Sequence, residues 1–183
     1  MTVIYSNHGD NDTLTLQRMW ANLPNVKLIE ITHNTENYEE MVDEAIAQEE
    51  DTILFCGHGT TNGLLHPNFM EYILHENNFH LIRARNVIGI WCYASTFAET
   101  YHINGFFSSM YVSNIYEAYS HGLTEARVNE VTTSLELFCD RVHDLLSNEV
   151  PLSEWRRFIT RQLNEYNSVE VFNYNGLRYY NNF

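Results

Sequence analysis

The chain has 183 residues, 44% of them hydrophobic, with neither a low-complexity tract nor a repeat of solenoid length; this is enough for one full hydrophobic core and too little for two comfortable ones. Its 24 Asp and Glu against 10 Lys and Arg give a formal charge of −14, which repels phosphate backbones and anionic headgroups, so neither nucleic acid nor a membrane is an expected partner. A nucleic-acid mimic would spread its carboxylates along one face, whereas here they interleave with ordinary core periodicity.

The start, "MTVIYSNHGDND", lacks a basic n-region and an apolar h-region, and no apolar stretch approaches the ~20 residues that span a bilayer, so a cytoplasmic location is expected. "TVIY" (2–5) reads as a strand and "DTLTLQRMWANL" as a helix capped by Asp12; "VKLIEI" (26–31) is the next strand. Thr35 is the expected cap of "ENYEEMVDEAIAQEE", whose Tyr38, Met41, Val42, Ala45 and Ile46 follow the helical period. The strand "TILFC", a loop, a helix over "PNFMEYILHEN", the strand "NVIGIW" and a helix starting just after Cys92 come next. "GFFSSMYVS" (105–113) is a candidate strand, and 124–146 and 152–163 read as amphipathic helices, the second preceded by Pro151. In "VEVFNYNGLRYY" the Asn175-Gly176 pair signals a type I′ turn, hence a C-terminal β-hairpin at one edge of the sheet.

Alternation of this kind predicts a single α/β domain over 1–183, a three-layer sandwich with a mostly parallel sheet and its site at the carboxyl ends of the strands. His58 and Cys92 each follow directly on a predicted strand, so both fall at that edge, with His8 and Asp10 beside them. Three widely spaced cysteines without a C-x-x-C pair argue against a disulfide framework and a structural zinc site. Cys139, in "LELFCDRVHDLL", and Cys56, inside an apolar run, are expected in the core, which leaves Cys92.

A thiol is nucleophilic as thiolate; a nearby imidazole takes its proton, and a helix N-terminus just after Cys92 would lower its pKa. Glycines flanking His58 let the backbone approach a substrate and leave the Gly59 N–H free for a developing oxyanion. The elements "ILFCGHG" and "VIGIWC", each an apolar strand ending in the reactive residue, resemble the caspase-like cysteine peptidases, the clan of caspases, gingipains, legumain, clostripain and separase. The resemblance runs from Thr2 to about Ser113. It implies His58 as general base and acid, Cys92 as nucleophile, and the N–H groups of Gly59 and Cys92 as oxyanion donors. Trp91 departs from the small residue expected before the cysteine, and the chain is short for the clan.

The implied activity is a cysteine endopeptidase acting on a peptide or protein, without a metal or organic cofactor. Asp10, Asp12 and Glu117 are the candidate substrate-binding carboxylates. With no Arg or Lys in their loops, they disfavour aspartate before the cleaved bond and favour a basic residue. The run from Tyr111 to Tyr119 is either a groove wall or packing. Three other readings remain open: an inactive caspase-fold module binding a partner protein; a transition-metal site from Cys56, His58, His66 and Cys92; and a flavodoxin-like hydrolase or nucleotide binder, which lacks a glycine-rich phosphate loop. His33, His66, His75, His80, His102, His121 and His143 show no partner pattern and read as surface or core histidines.

Overall fold

The computed structural model describes residues 1–183. The chain runs β1 (Thr2–Ser6), α1 (Asn11–Leu16) with a 3₁₀ turn, β2 (Lys27–Ile31), α2 (Tyr38–Gln48), β3 (Thr52–Cys56), β4 (Gly59–Thr60), β5 (Gly63–Leu65), β6 (Tyr72–Leu74) and β7 (Asn86–Ile90). It continues with α3 (Ala94–Thr100), β8 (Gly105–Phe107), α4 (Ile115–Ser120), α5 (Val128–Ser147), α6 (Leu152–Arg161), α7 (Ser168–Asn175) and β9 (Arg178–Tyr180). Six strands form the main sheet in the order β2-β1-β3-β7-β8-β9; all pair in parallel except β9, which is antiparallel to β8. β4, β5 and β6 form a separate antiparallel ribbon.

Alternation along the strands divides the core between the two faces of the sheet. Val3 and Tyr5 of β1, Leu54 and Cys56 of β3, Ile88 and Ile90 of β7 and Phe106 of β8 pack with Leu16, Phe138, Cys139, Val142, Trp155 and Tyr174 from α1, α5, α6 and α7. Ile4, Ile53, Phe55, Val87 and Phe107 point the other way, onto Val42, Ala45, Ile46, Phe97 and Ala98 from α2 and α3. Side-chain period 2 in a strand makes this two-sided burial possible, and continuous apolar runs such as "TILFC" are its sequence mark. Cys56 and Cys139 are fully buried, as their runs predict. No helix is long and apolar enough to cross a membrane.

The structure departs from the sequence expectations at four places. Residues 67–77 hold no helix. The Asn68 side-chain oxygen Oδ1 accepts from Met70 N and Glu71 N at 2.9 and 3.2 Å, turning the chain so that Tyr72–Leu74 pair with β5 as β6. The N-cap of α1 is Asp10, whose Oδ1 accepts from Thr13 N at 2.7 Å, and Asp12 sits in the first turn. Thr35 does not cap α2; its hydroxyl accepts from Thr32 N, and the helix starts behind Asn37 in the left-handed conformation.

The fourth departure is the C-terminal hairpin, which is a helix followed by one strand. Asn167 caps α7 by accepting from Val169 N and Glu170 N, and Gly176 is the helix C-cap, so the Asn-Gly pair marks a helix end. A tertiary contact accounts for the change: Glu170, 1% exposed, takes the Arg141 Nη1–H at 2.6 Å, while Arg141 also donates to Tyr174 and, at 2.6 Å, to Gln162 O. Breaking a buried pair from one side strands the other charge, which costs about 3–5 kcal/mol. Arg141→Met is therefore expected to lower stability by about that amount in urea unfolding, and adding Glu170→Gln to recover a substantial part; a loss under about 1 kcal/mol would show that the pair does not hold α7 in place.

Candidate functional site

The chain leaves β1 toward β2 on one side and returns through β3 on the other, so the carboxyl ends of β1 and β3 flank a crevice where connections diverge. β7, next to β3, ends at the same edge. These three strand ends deliver Asp10, His58 and Cys92. Gly57 makes the turn out of β3 with φ +145, and a Cβ there would meet the Ser6 Cβ at 2.7 Å, so the turn requires glycine.

His58 Nε2 lies 2.8 Å from Asp10 Oδ2. The other oxygen, Oδ1, accepts from Thr13 N and Thr13 Oγ1, so the cap of α1 fixes the carboxylate that holds the imidazole. Burial alone would raise the Asp10 carboxyl; the Thr13 donors and His58 outweigh it and hold it below its ordinary value. His8 stands edge-on to His58 at 4.7 Å between ring centres, and burial together with that neighbour pushes its pKa down to about 4.

Trp91 explains its own presence before Cys92. Its buried indole packs against Gly59 and Gly89, where added Cβ atoms would come within 2.0 and 2.7 Å of the ring, and its Nε1–H donates to Thr60 O at 3.2 Å. Cys92 follows, partly exposed where Cys56 and Cys139 are buried, and its thiol donates to Tyr111 O at 3.5 Å. Burial, reinforced by the Glu117 and Asp12 carboxylates, pushes its pKa up to about 11. The expected lowering by a following helix is thus reversed: α3 is a short helix starting at Ala94 behind a left-handed Tyr93, and the Tyr93 N–H is taken by Ser109 O.

His58 and Cys92 line one cavity with Asp12, Thr13, Tyr111 and Ser113, but share no hydrogen bond, and its volume of about 30 Å³ suits a water and no peptide. The Cys92 N–H donates to no protein group. Leu65 N–H donates to His58 O, which leaves Gly59, opposite Leu64, at a non-hydrogen-bonded position with its N–H directed away from β5.

The three candidate binding carboxylates divide. Asp10 is committed to His58 and the α1 cap. Asp12 and Glu117 meet across Ser113, whose hydroxyl lies 3.0 Å from Asp12 Oδ2 and 3.1 Å from Glu117 Oε2, one proton between two acceptors. Asn114 Nδ2 also donates to Asp12, and Ser113 N to Glu117. The tyrosine run splits as well: Tyr111 is buried against Phe138, while Tyr116 and Tyr119 are exposed on α4.

The set Cys56, His58, His66 and Cys92 does not assemble as a metal site, because Cys56 is enclosed in the core beneath α5. The ligand atoms of Asp10, Asp12 and His58 do lie within 4.8 Å of one another, and each of these residues also makes hydrogen bonds within the chain. A concavity of about 520 Å³ opens at the opposite edge of the sheet around Asp51, Asn86 and Trp155, far in the fold from the strand ends that carry these groups. The role of the Tyr111 carbonyl and of Ser113 had no sequence signal, since both depend on how residues 108–114 fold back over Cys92. Comparison with protein-family models, with curated proteins and with solved structures finds no match.

A thiol with a pKa of about 11 should alkylate with iodoacetamide at a rate rising about tenfold per pH unit from about pH 7 to 10 and levelling off beyond. Asp12→Asn and Glu117→Gln should each shift that profile to lower pH, and Cys56 and Cys139 should react only after denaturation. A profile that ignores both substitutions would remove these carboxylates from the electrostatics of Cys92.

Proposed function

We propose that the protein is a caspase-like cysteine endopeptidase working through His58 and Cys92. The observation that carries this reading is that the Asp10-bound His58 and the partly exposed residue Cys92 line one cavity at the switch-point edge of a parallel sheet. Asp10 holds Nε2, so Nδ1 is the nitrogen left to take the Cys92 proton. The thiolate then attacks the peptide carbonyl, and the oxyanion forms toward the N–H groups of Gly59 and Cys92. Collapse expels the amine, which takes its proton from His58; water, deprotonated by the same imidazole, then hydrolyses the thioester and regenerates the thiol. This chemistry needs no cofactor.

The arrangement described is a closed state. A peptide enters only if the segment around Tyr111 and Ser113 moves off the sulfur. Asp12 and Glu117 favour a basic side chain before the cleaved bond, and a cation seated there would offset the two charges that raise the thiol pKa. The same closure and raised pKa favour a second reading, in which the protein is an inactive caspase-fold module that binds a partner protein.

A positional-scanning peptide library separates the two. The peptidase reading expects cleavage after Arg or Lys, none after Asp, and no cleavage by Cys92→Ala. Asp10→Asn, which keeps a good helix cap, should lower kcat by about 10²- to 10⁴-fold. Cleavage that survives in Cys92→Ala, or no cleavage at all, would remove the endopeptidase reading; the latter leaves the binding module.

A further inference from the structure

A second feature of the site is the tip of the loop between β5 and β6. Phe69 has φ +60, a left-handed conformation that a bulky aromatic residue rarely adopts. The conformation is held by its surroundings: Phe69 N donates to His66 O at 2.8 Å, and Asn68 N donates to His66 Nδ1 at 3.2 Å. The Asn68 side chain accepts from Met70 N and Glu71 N and donates to Glu71 Oε2 at 2.8 Å. Unfavourable backbone geometry persists where the surrounding structure over-determines it, and it clusters at binding and catalytic sites. Here it lays the Phe69 ring 4.5 Å from the His8 ring and 5.9 Å from the His58 ring, measured between centres. Phe69 nevertheless stays 56% exposed, so its ring leaves apolar surface open next to the imidazole, and Met70, which follows it in the chain, is 84% exposed.

Resting on the peptidase reading, we infer that Phe69 and Met70 form an apolar subsite for the side chain of the substrate residue C-terminal to the cleaved bond. The step that connects them is the proton transfer. His58 must come within hydrogen-bond reach of the leaving nitrogen, and that nitrogen belongs to the residue whose side chain is in question. Whatever packs on the imidazole therefore borders that residue. The carboxylates Asp12 and Glu117 are joined through Ser113 to the segment after β8, whereas Phe69 and Met70 belong to the loop between β5 and β6.

The test uses two internally quenched peptides that share every residue except the one after the cleaved bond, Leu in one and Gly in the other. Wild-type protein should prefer Leu in kcat/KM by about tenfold or more, the range one apolar contact provides. Phe69→Ala should bring that ratio to within about twofold, Phe69→Leu should keep most of it, and Met70→Asp, at a nearly fully exposed position, should lower it without risk to folding. Cleavage with a Leu-to-Gly ratio near one in the wild type, or a ratio that neither Phe69→Ala nor Met70→Asp changes, overturns the subsite and leaves the peptidase intact. Absence of cleavage of either peptide by the wild type overturns both.

Discussion

The indole of Trp91 ties together the two halves of the site. It belongs to the residue before Cys92 and rests on Gly59, the residue after His58, so its position fixes both candidate reactive residues at once. A Cβ at Gly59 or Gly89 would overlap the ring, and the Nε1–H bond to Thr60 anchors the ribbon of β4 and β5 to the end of β7. Three sequence features, two glycines and a tryptophan, are thus one packing unit. Parallel pairing of β3 with β1 and β7 supplies the frame, because only strands running the same way bring residues 10, 58 and 92 to one edge.

Electrostatics within that frame pull in two directions. Asp10 is drawn down by Thr13 and His58 and keeps the imidazole oriented, whereas Cys92 is pushed up by burial and by the Glu117 and Asp12 carboxylates. With 24 acidic residues against 10 basic ones, such neighbours are easy to place and hard to neutralise from within the chain. Burial and these two carboxylates thus disfavour the Cys92 thiolate in this arrangement, and the adjoining cavity of about 30 Å³ has room for a water.

Much of this was legible in the sequence. "TILFC" coincides with β3, the strands at 2–5 and 86–91 are placed to within a residue or so, and the βαβ order put His58 and Cys92 at one edge of the sheet, where the structure has them. What was not legible depended on distant partners. The segment Ser168–Asn175 has strand-like composition, and it is helical because Glu170 reaches Arg141. The chain at 67–77 has helix-like periodicity, and it turns because Asn68 binds its own backbone. Asp10 was legible as a candidate substrate-binding carboxylate but not as a partner of His58, since the α1 cap and the His58 contact that engage its two oxygens depend on the fold.

The central claim is that Cys92 is the nucleophile and His58 its base. The most direct measurement is intact-mass analysis of the protein treated with a peptidyl acyloxymethyl ketone carrying arginine next to the reactive group, followed by peptide mapping. The account predicts a single adduct, on Cys92, formed by the wild type and absent from His58→Ala. No adduct in the native wild type, or one that forms equally in the His58 variant, would contradict it.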